Sequence, residues 1–110
     1  MSPTYTLVAD LLNEIRIPEK GILSHTLYND DAIRIVLFGF AAGQELTAHT
    51  APMPATIQFL EGEAEVTLGP DKREVAAGAL IQMQPQLTHG IMAKTPVLML
   101  LYLHKAARQA

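Results

Sequence analysis

Cysteine is absent from this chain of 110 residues, which removes disulfide frameworks, thiolate chemistry and cysteine-based zinc sites. Charge is also scarce. Asp, Glu, Lys and Arg make up 17% of the residues, little for a small monomer with a large surface-to-volume ratio. We therefore expect another copy of the chain to cover part of the surface, as a homodimer. The net charge is −3, and Lys72, Arg73 and Lys94 are too few and too scattered to form the basic stripe of a nucleic-acid binder. Long apolar runs are missing as well. The longest, Val97 to Leu103, has seven residues against the roughly 20 needed to span a bilayer. The N-terminal Met-Ser-Pro-Thr-Tyr-Thr lacks the basic stretch and apolar segment of a secretory signal. The expectation is a cytoplasmic protein with neither membrane nor nucleic acid as partner.

What the chain does contain is apolar residues, 49% of the total, ample for the core of a single domain. They fall in short strands punctuated by turns at regular intervals, which predicts an all-β sandwich or barrel. Thr6 to Ile15 is the one helix candidate, with Leu7, Leu11, Leu12 and Ile15 at helical spacing and Asp10 and Glu14 among them. Pro18 stops it, and Glu19-Lys20-Gly21 turns the chain. Residues 1–20 thus read as an N-terminal segment packing on a barrel of residues 21–110.

Strands are predicted at Ile22 to Tyr28, Ile33 to Phe40, Gln44 to His49, Thr56 to Leu60, Glu63 to Leu68, Arg73 to Val75, Ala79 to Met83, Thr88 to Ala93 and Val97 to Leu103. Thr50-Ala51-Pro52-Met53-Pro54 carries two prolines and cannot lie in a central strand. Glu63 to Leu68 alternates strictly, so one face is wet and the other is core. Val97 to Leu103 has no polar face apart from the Tyr102 hydroxyl. It needs cover on both sides, from the barrel and from either a partner chain or residues 5–17. The homodimer is the preferred expectation, and cover by residues 5–17 alone is the alternative.

Gly43-Gln44-Glu45-Leu46-Thr47-Ala48-His49 running to Gly62, and Gly78 running to His89, follow the spacing of the two motifs of the small single-domain cupins, which this chain resembles over about Gly21 to Leu103. In the first motif Gly43, His49 and Gly62 match, while Ala51 and Ala55 stand where a second His and a Glu belong. In the second, Gly78 and His89 match; Gln84, Gln86 and Ala93 replace Pro, Gly and Asn, and Pro85 sits one place late. Phe59-Leu60-Glu61-Gly62-Glu63-Ala64-Glu65-Val66 looks like the family's turn after the first motif. The resemblance implies a double-stranded β-helix, or jelly-roll barrel, here with a short N-terminal helical segment.

It further implies that His49 and His89 converge inside the barrel, where neutral imidazoles act as donor, acceptor or base. Phe59 and Met83 are expected to line the same ligand-binding pocket. Metal-bearing cupins hold one divalent ion with the two motifs' His and Glu residues. Here His49 and His89 are the remaining metal candidates, short of the three protein ligands usual for catalytic zinc. Gln58, Gln82, Gln84 and Gln86 could add carbonyl oxygens, and Met53, Met83 or Met92 a thioether suited to softer ions.

Plainer readings stand beside these. A histidine on an apolar face is often a hydrogen-bonded core residue, Met83 fits core filling, and the even-spaced Gln82, Gln84 and Gln86 fit a wet strand edge. Glu61, Glu63 and Glu65 fit a solvated face, and His104 beside Lys105 fits a solvated ring. No Gly-rich phosphate loop or serine nucleophile elbow is present. Three functions follow: a cupin binding a small, largely apolar organic ligand; a metal-dependent oxygenase- or isomerase-type enzyme with an open two-His site; and a non-catalytic structural or interaction module. Whether the chain is an enzyme stays open at this stage.

Overall fold

Turn residues divide the chain into short strands: β1 (Ile22–Asn29), β2 (Arg34–Phe40), β3 (Glu45–His49), β4 (Ala55–Glu61), β5 (Glu63–Leu68), β6 (Asp71–Ala76), β7 (Leu80–Met83), β8 (His89–Ala93) and β9 (Val97–Leu103). These come from a computed structural model that describes residues 4–107. The strands form a five-stranded sheet in the order β1-β2-β9-β4-β7 and a four-stranded sheet in the order β3-β8-β5-β6. Every pairing is antiparallel. From β2 onward the chain repeatedly crosses from one sheet to the other, so the two sheets close on each other as a double-stranded β-helix.

Alternation decides what each face buries. In β5, Ala64 and Val66 are fully buried while Glu63 and Glu65 turn outward. Phe40, Ala55, Ile57, Phe59, Met83, Ile91, Ala93, Val97 and Met99 complete the same inner cluster, each no more than 2% exposed. The five-stranded sheet has a second apolar face. Leu37, Leu98 and Leu100 point away from the barrel and are at most 3% exposed, packed with Leu11, Ile15 and Ile17. The N-terminal segment therefore supplies cover for the outer face of β9, the alternative considered above. That burial is complete within one chain, and a homodimer needs a different argument.

The Thr6–Ile15 helix is corrected by the structure. Only a single 3-10 turn forms, at Leu11–Asn13. Asp10 sits before it in extended geometry without capping a backbone N–H; its carboxylate instead accepts a 2.7 Å hydrogen bond from the Asn13 amide. A segment this short is marginal as a helix in water. Its leucine and isoleucine spacing is spent pressing an irregular strap onto the sheet, which leaves Leu7 76% and Leu12 50% exposed.

Gly62 joins β4 to β5 and shows why the turn glycine is needed. Its φ is +90°, and a Cβ there would lie 2.1 Å from the Pro96 carbonyl oxygen. Gly62→Ala combines left-handed strain with a backbone collision. It should cost at least about 3 kcal/mol, read as a lowered midpoint in urea unfolding, whereas Gly21→Ala, with open space around its Cβ, should cost less.

Candidate functional site

His49 ends β3 and His89 begins β8 on the neighbouring strand. Their pairing depends on an irregularity. Glu45 lies opposite Met92 and Leu46 opposite Ile91, yet His49 lies opposite His89, so β3 carries one extra residue between Leu46 and His49. Leu46 packs on the inner core. Three residues further along a regular strand, His49 would face the other way. The bulge at Thr47-Ala48 restores it to the inner face beside His89, the re-aiming that bulges provide.

Gly90 makes room for that bulge. A Cβ on it would meet the Ala48 nitrogen at 3.0 Å, the Ala48 Cα at 3.1 Å and the Leu46 carbonyl oxygen at 3.1 Å. The ring centroids of His49 and His89 are then 4.5 Å apart with planes inclined at 53°. The pair marks the rim of the barrel: His49 is exposed, and His89 is 6% exposed with Leu68 across from it on β5. Among the described residues His89 is the one buried polar or charged side chain.

Both rings are anchored alike. His49 Nδ1 is 2.9 Å from the Thr47 carbonyl oxygen, and His89 Nδ1 is 2.9 Å from the Leu87 carbonyl oxygen. A carbonyl oxygen only accepts, so each Nδ1 carries the proton and donates. In the neutral rings each Nε2 therefore keeps its lone pair. The result is two hydrogen-bond acceptors, or two potential ligand atoms, presented side by side.

Comparison with known proteins agrees with this architecture. No protein-family model matches the sequence, and no curated protein matches it. Among solved structures, a conserved protein of unknown function from Streptococcus pyogenes is 32% identical with a TM-score of 0.83, over 94% of this chain and 90% of that one. A cupin superfamily protein from Desulfitobacterium hafniense is 26% identical, TM-score 0.78, over 82% and 83% of the two chains. An RmlC-like cupin from Desulfovibrio desulfuricans is 26% identical, TM-score 0.81, over 92% and 98%. The chain belongs to the cupin family.

This cupin keeps only part of the family's metal centre. Ala55 opens β4, faces inward and is 2% exposed, so the motif position of the Glu lies in the core and holds only a methyl. Ala51 does not share a strand face with His49, as even spacing suggests, because β3 ends at His49. Ala51 lies in the following loop, where its carbonyl accepts the Gln86 N–H at 2.7 Å. Among the described residues no group of three His, Cys, Asp or Glu side chains could hold a metal ion. The donor set of the full family centre is not met.

The other expected donors are dispersed. Gln58 and Gln82 alternate with the inward residues of β4 and β7 and so lie on the outer face of the five-stranded sheet; Gln58 there accepts from the Tyr102 hydroxyl at 3.4 Å. Gln84 and Gln86 are exposed, fitting the wet edge. Met92 is 38% exposed on the outward side of β8. Phe59 and Met83 face inward but are each 1% exposed within the core cluster, so they pack the floor beneath the rim rather than offer it a contact surface.

His104 is corrected: it is half-buried, with Nε2 2.9 Å from the Thr56 hydroxyl. His25 is exposed, 3.7 Å from the Glu14 carboxylate. Sequence reasoning missed Gly90 and the Thr47-Ala48 bulge. A glycine inside a strand, beside His89, was the available signal.

Gly90→Ala should push β3 away from β8 at a cost of about 1–3 kcal/mol. Nitrogen-15 NMR of the imidazoles in the unsubstituted protein should show Nδ1 protonated in both rings, and the variant should lose that signature at His49 first.

Proposed function

We propose that this cupin binds a modest, largely apolar organic molecule whose hydrogen-bond donor end is held between His49 and His89, without a resident metal. The supporting observation is the identical backbone anchoring of the two rings, whose centroids are 4.5 Å apart, which leaves the Nε2 atom of each as an acceptor. An NH2 group of the ligand has a proton for each acceptor, a hydroxyl has a proton for one of them, and the apolar body covers the rim. Ligands of this kind are fixed by a few polar contacts in an otherwise apolar setting. Small phenols and alcohols screened by NMR should shift the His49 and His89 ring protons together. His89→Ala should weaken the best of them by about tenfold, 1.4 kcal/mol, and binding untouched by that change would dismiss the reading.

A metal-dependent enzyme is the second reading. An Nδ1–H donated to a carbonyl with Nε2 free is also how metal-ligating histidines are oriented. On the first reading, protein incubated with zinc, manganese or nickel retains far less than one equivalent after desalting. The double variant Ala51→His, Ala55→Glu should gain near-stoichiometric metal by restoring the missing donors. Stoichiometric metal in the unsubstituted protein, lost in His49→Ala, would favour the enzyme.

We also propose that the protein is a homodimer, with β1 as the contact. Among the described residues β1 pairs only with β2. Its eight residues, Ile22 to Asn29, include no Asp, Glu, Lys, Arg or Pro, the residues that normally protect a free edge. Ile22 and Leu23 are 37% and 43% exposed. Sedimentation velocity should give a dimer, and Ser24→Pro, which removes an edge N–H, should shift it to monomer.

A further inference from the structure

We propose a second ligand site, on the outside of the barrel between the N-terminal strap and the five-stranded sheet, for a neutral aromatic compound carrying a hydroxyl or amine group. A cavity of about 620 Å³ lies there, bounded by Thr4, Tyr5, Thr6, Val8 and Leu11 on one side and by side chains of β1, β2 and β9 on the other. Its size falls in the range of small-molecule pockets, roughly 300–1,000 Å³. It is separate from the histidine pair, which faces the interior from the other sheet.

The cavity exists because the strap fits unevenly. Ile15 and Ile17 pack against the outer cluster of Leu37, Leu98 and Leu100, whereas Tyr5 and Leu7 are each 76% exposed. Below them Leu27, Ile35 and Leu100 form an apolar floor.

The aromatic residues are sorted by face. The chain has three tyrosines and three phenylalanines and no tryptophan. Phe38, Phe40 and Phe59 belong to the barrel interior, whereas Tyr5, Tyr28 and Tyr102 all line this cavity. Rings that are apolar in the body and polar at the tip suit a site that is dry on one side and wet on the other. The phenol protons are directed at neighbours, Tyr28 donating to Asp30 at 2.6 Å and Tyr102 toward Gln58 at 3.4 Å. Their oxygen lone pairs remain for a donor on the ligand. Among the described residues no Asp, Glu, Lys, Arg or His lines the cavity, a lining suited to a neutral guest whose flat apolar body stacks against the tyrosine rings.

Methyl and aromatic NMR of the full chain titrated with 2-naphthol tests the site. The expected result is saturable shifts at Leu27, Ile35, Leu100 and the tyrosine rings, with Ile91 and the His49 and His89 rings unmoved. Naphthalene-2-sulfonate should bind at least tenfold more weakly. Val8→Trp, which fills the strap side of the cavity, should abolish the shifts, and the milder Tyr102→Phe should weaken binding about two- to tenfold, the worth of one hydrogen bond. The proposal is overturned by shifts centred on Ile91 and the histidines, by binding indifferent to both variants, or by no shift up to the solubility limit of the probe. It is equally overturned if the same lining signals move with protein concentration alone, because a second copy would then occupy the face.

Discussion

The middle strands of the five-stranded sheet must be buried on both faces at once, and the rest of the architecture follows from that requirement. Val97, Met99 and Leu101 of β9 serve the barrel interior, while Leu98 and Leu100 serve the outer cluster. Each such side chain is worth about 1.5–3 kcal/mol when withdrawn from water, comparable to a large part of a small domain's net stability. The barrel can supply only the inner cover. The strap of residues 11–17 supplies the outer cover, at the expense of its own regularity: it gives up a helix to place Leu11, Ile15 and Ile17 where the sheet needs them. The outer cavity is a consequence, since residues 4–8 continue over the same sheet without matching it.

On the inner side, one extra residue in β3 carries the chemistry. Without it, the parity of the strand would turn the His49 ring out, and His89 would remain a lone buried histidine beneath the rim. The extra residue fits only because the partner position on β8 has no side chain. Gly90 and the bulge thus act together, and neither alone produces the pair. The backbone then orients both rings through carbonyl oxygens two residues upstream, so the tautomer is set by the strand geometry itself and not by a carboxylate partner.

How much of this can be read from the chain differs between the two halves of the molecule. Strand positions were legible because alternation such as Glu63 to Leu68 and turns such as Gly69-Pro70-Asp71-Lys72 act locally. The cupin motifs placed Gly43, Gly62 and Gly78, and all three take the positive φ that turn glycines permit. The strap was misread because apolar residues at helical spacing also suit an irregular segment lying on a flat surface; periodicity reports which residues face a partner, not the backbone path. At the site, the meeting of His49 and His89 followed from the motifs, but its route did not, since a bulge leaves no periodic trace. Phe59 and Met83 are expected to line a pocket, yet each is 1% exposed in the core cluster, because how tightly they pack depends on neighbours from other strands. The outer cavity was invisible, because it depends on how far residues 4–8 stand from a sheet formed much later in the chain.

The two alanines at the family's ligand positions change the electrostatics of the interior as well as the donor count. With Ala55 in place of a carboxylate, no acidic side chain is buried in the barrel, and His89 is the one buried polar or charged residue among those described. A divalent ion beside two neutral imidazoles would keep its full charge next to an apolar core, with no anion to balance it. Such a charge is costly unless paired. A neutral molecule would meet no such penalty: an NH2 group has the two protons that both lone pairs need, a hydroxyl has one, and either leaves the core uncharged. The same logic would apply to the outer cavity, where among the described residues the lining holds tyrosine phenols and no ionised side chain. On the proposed readings, both faces of the barrel would favour uncharged guests, because in low dielectric surroundings an unpaired charge is costly.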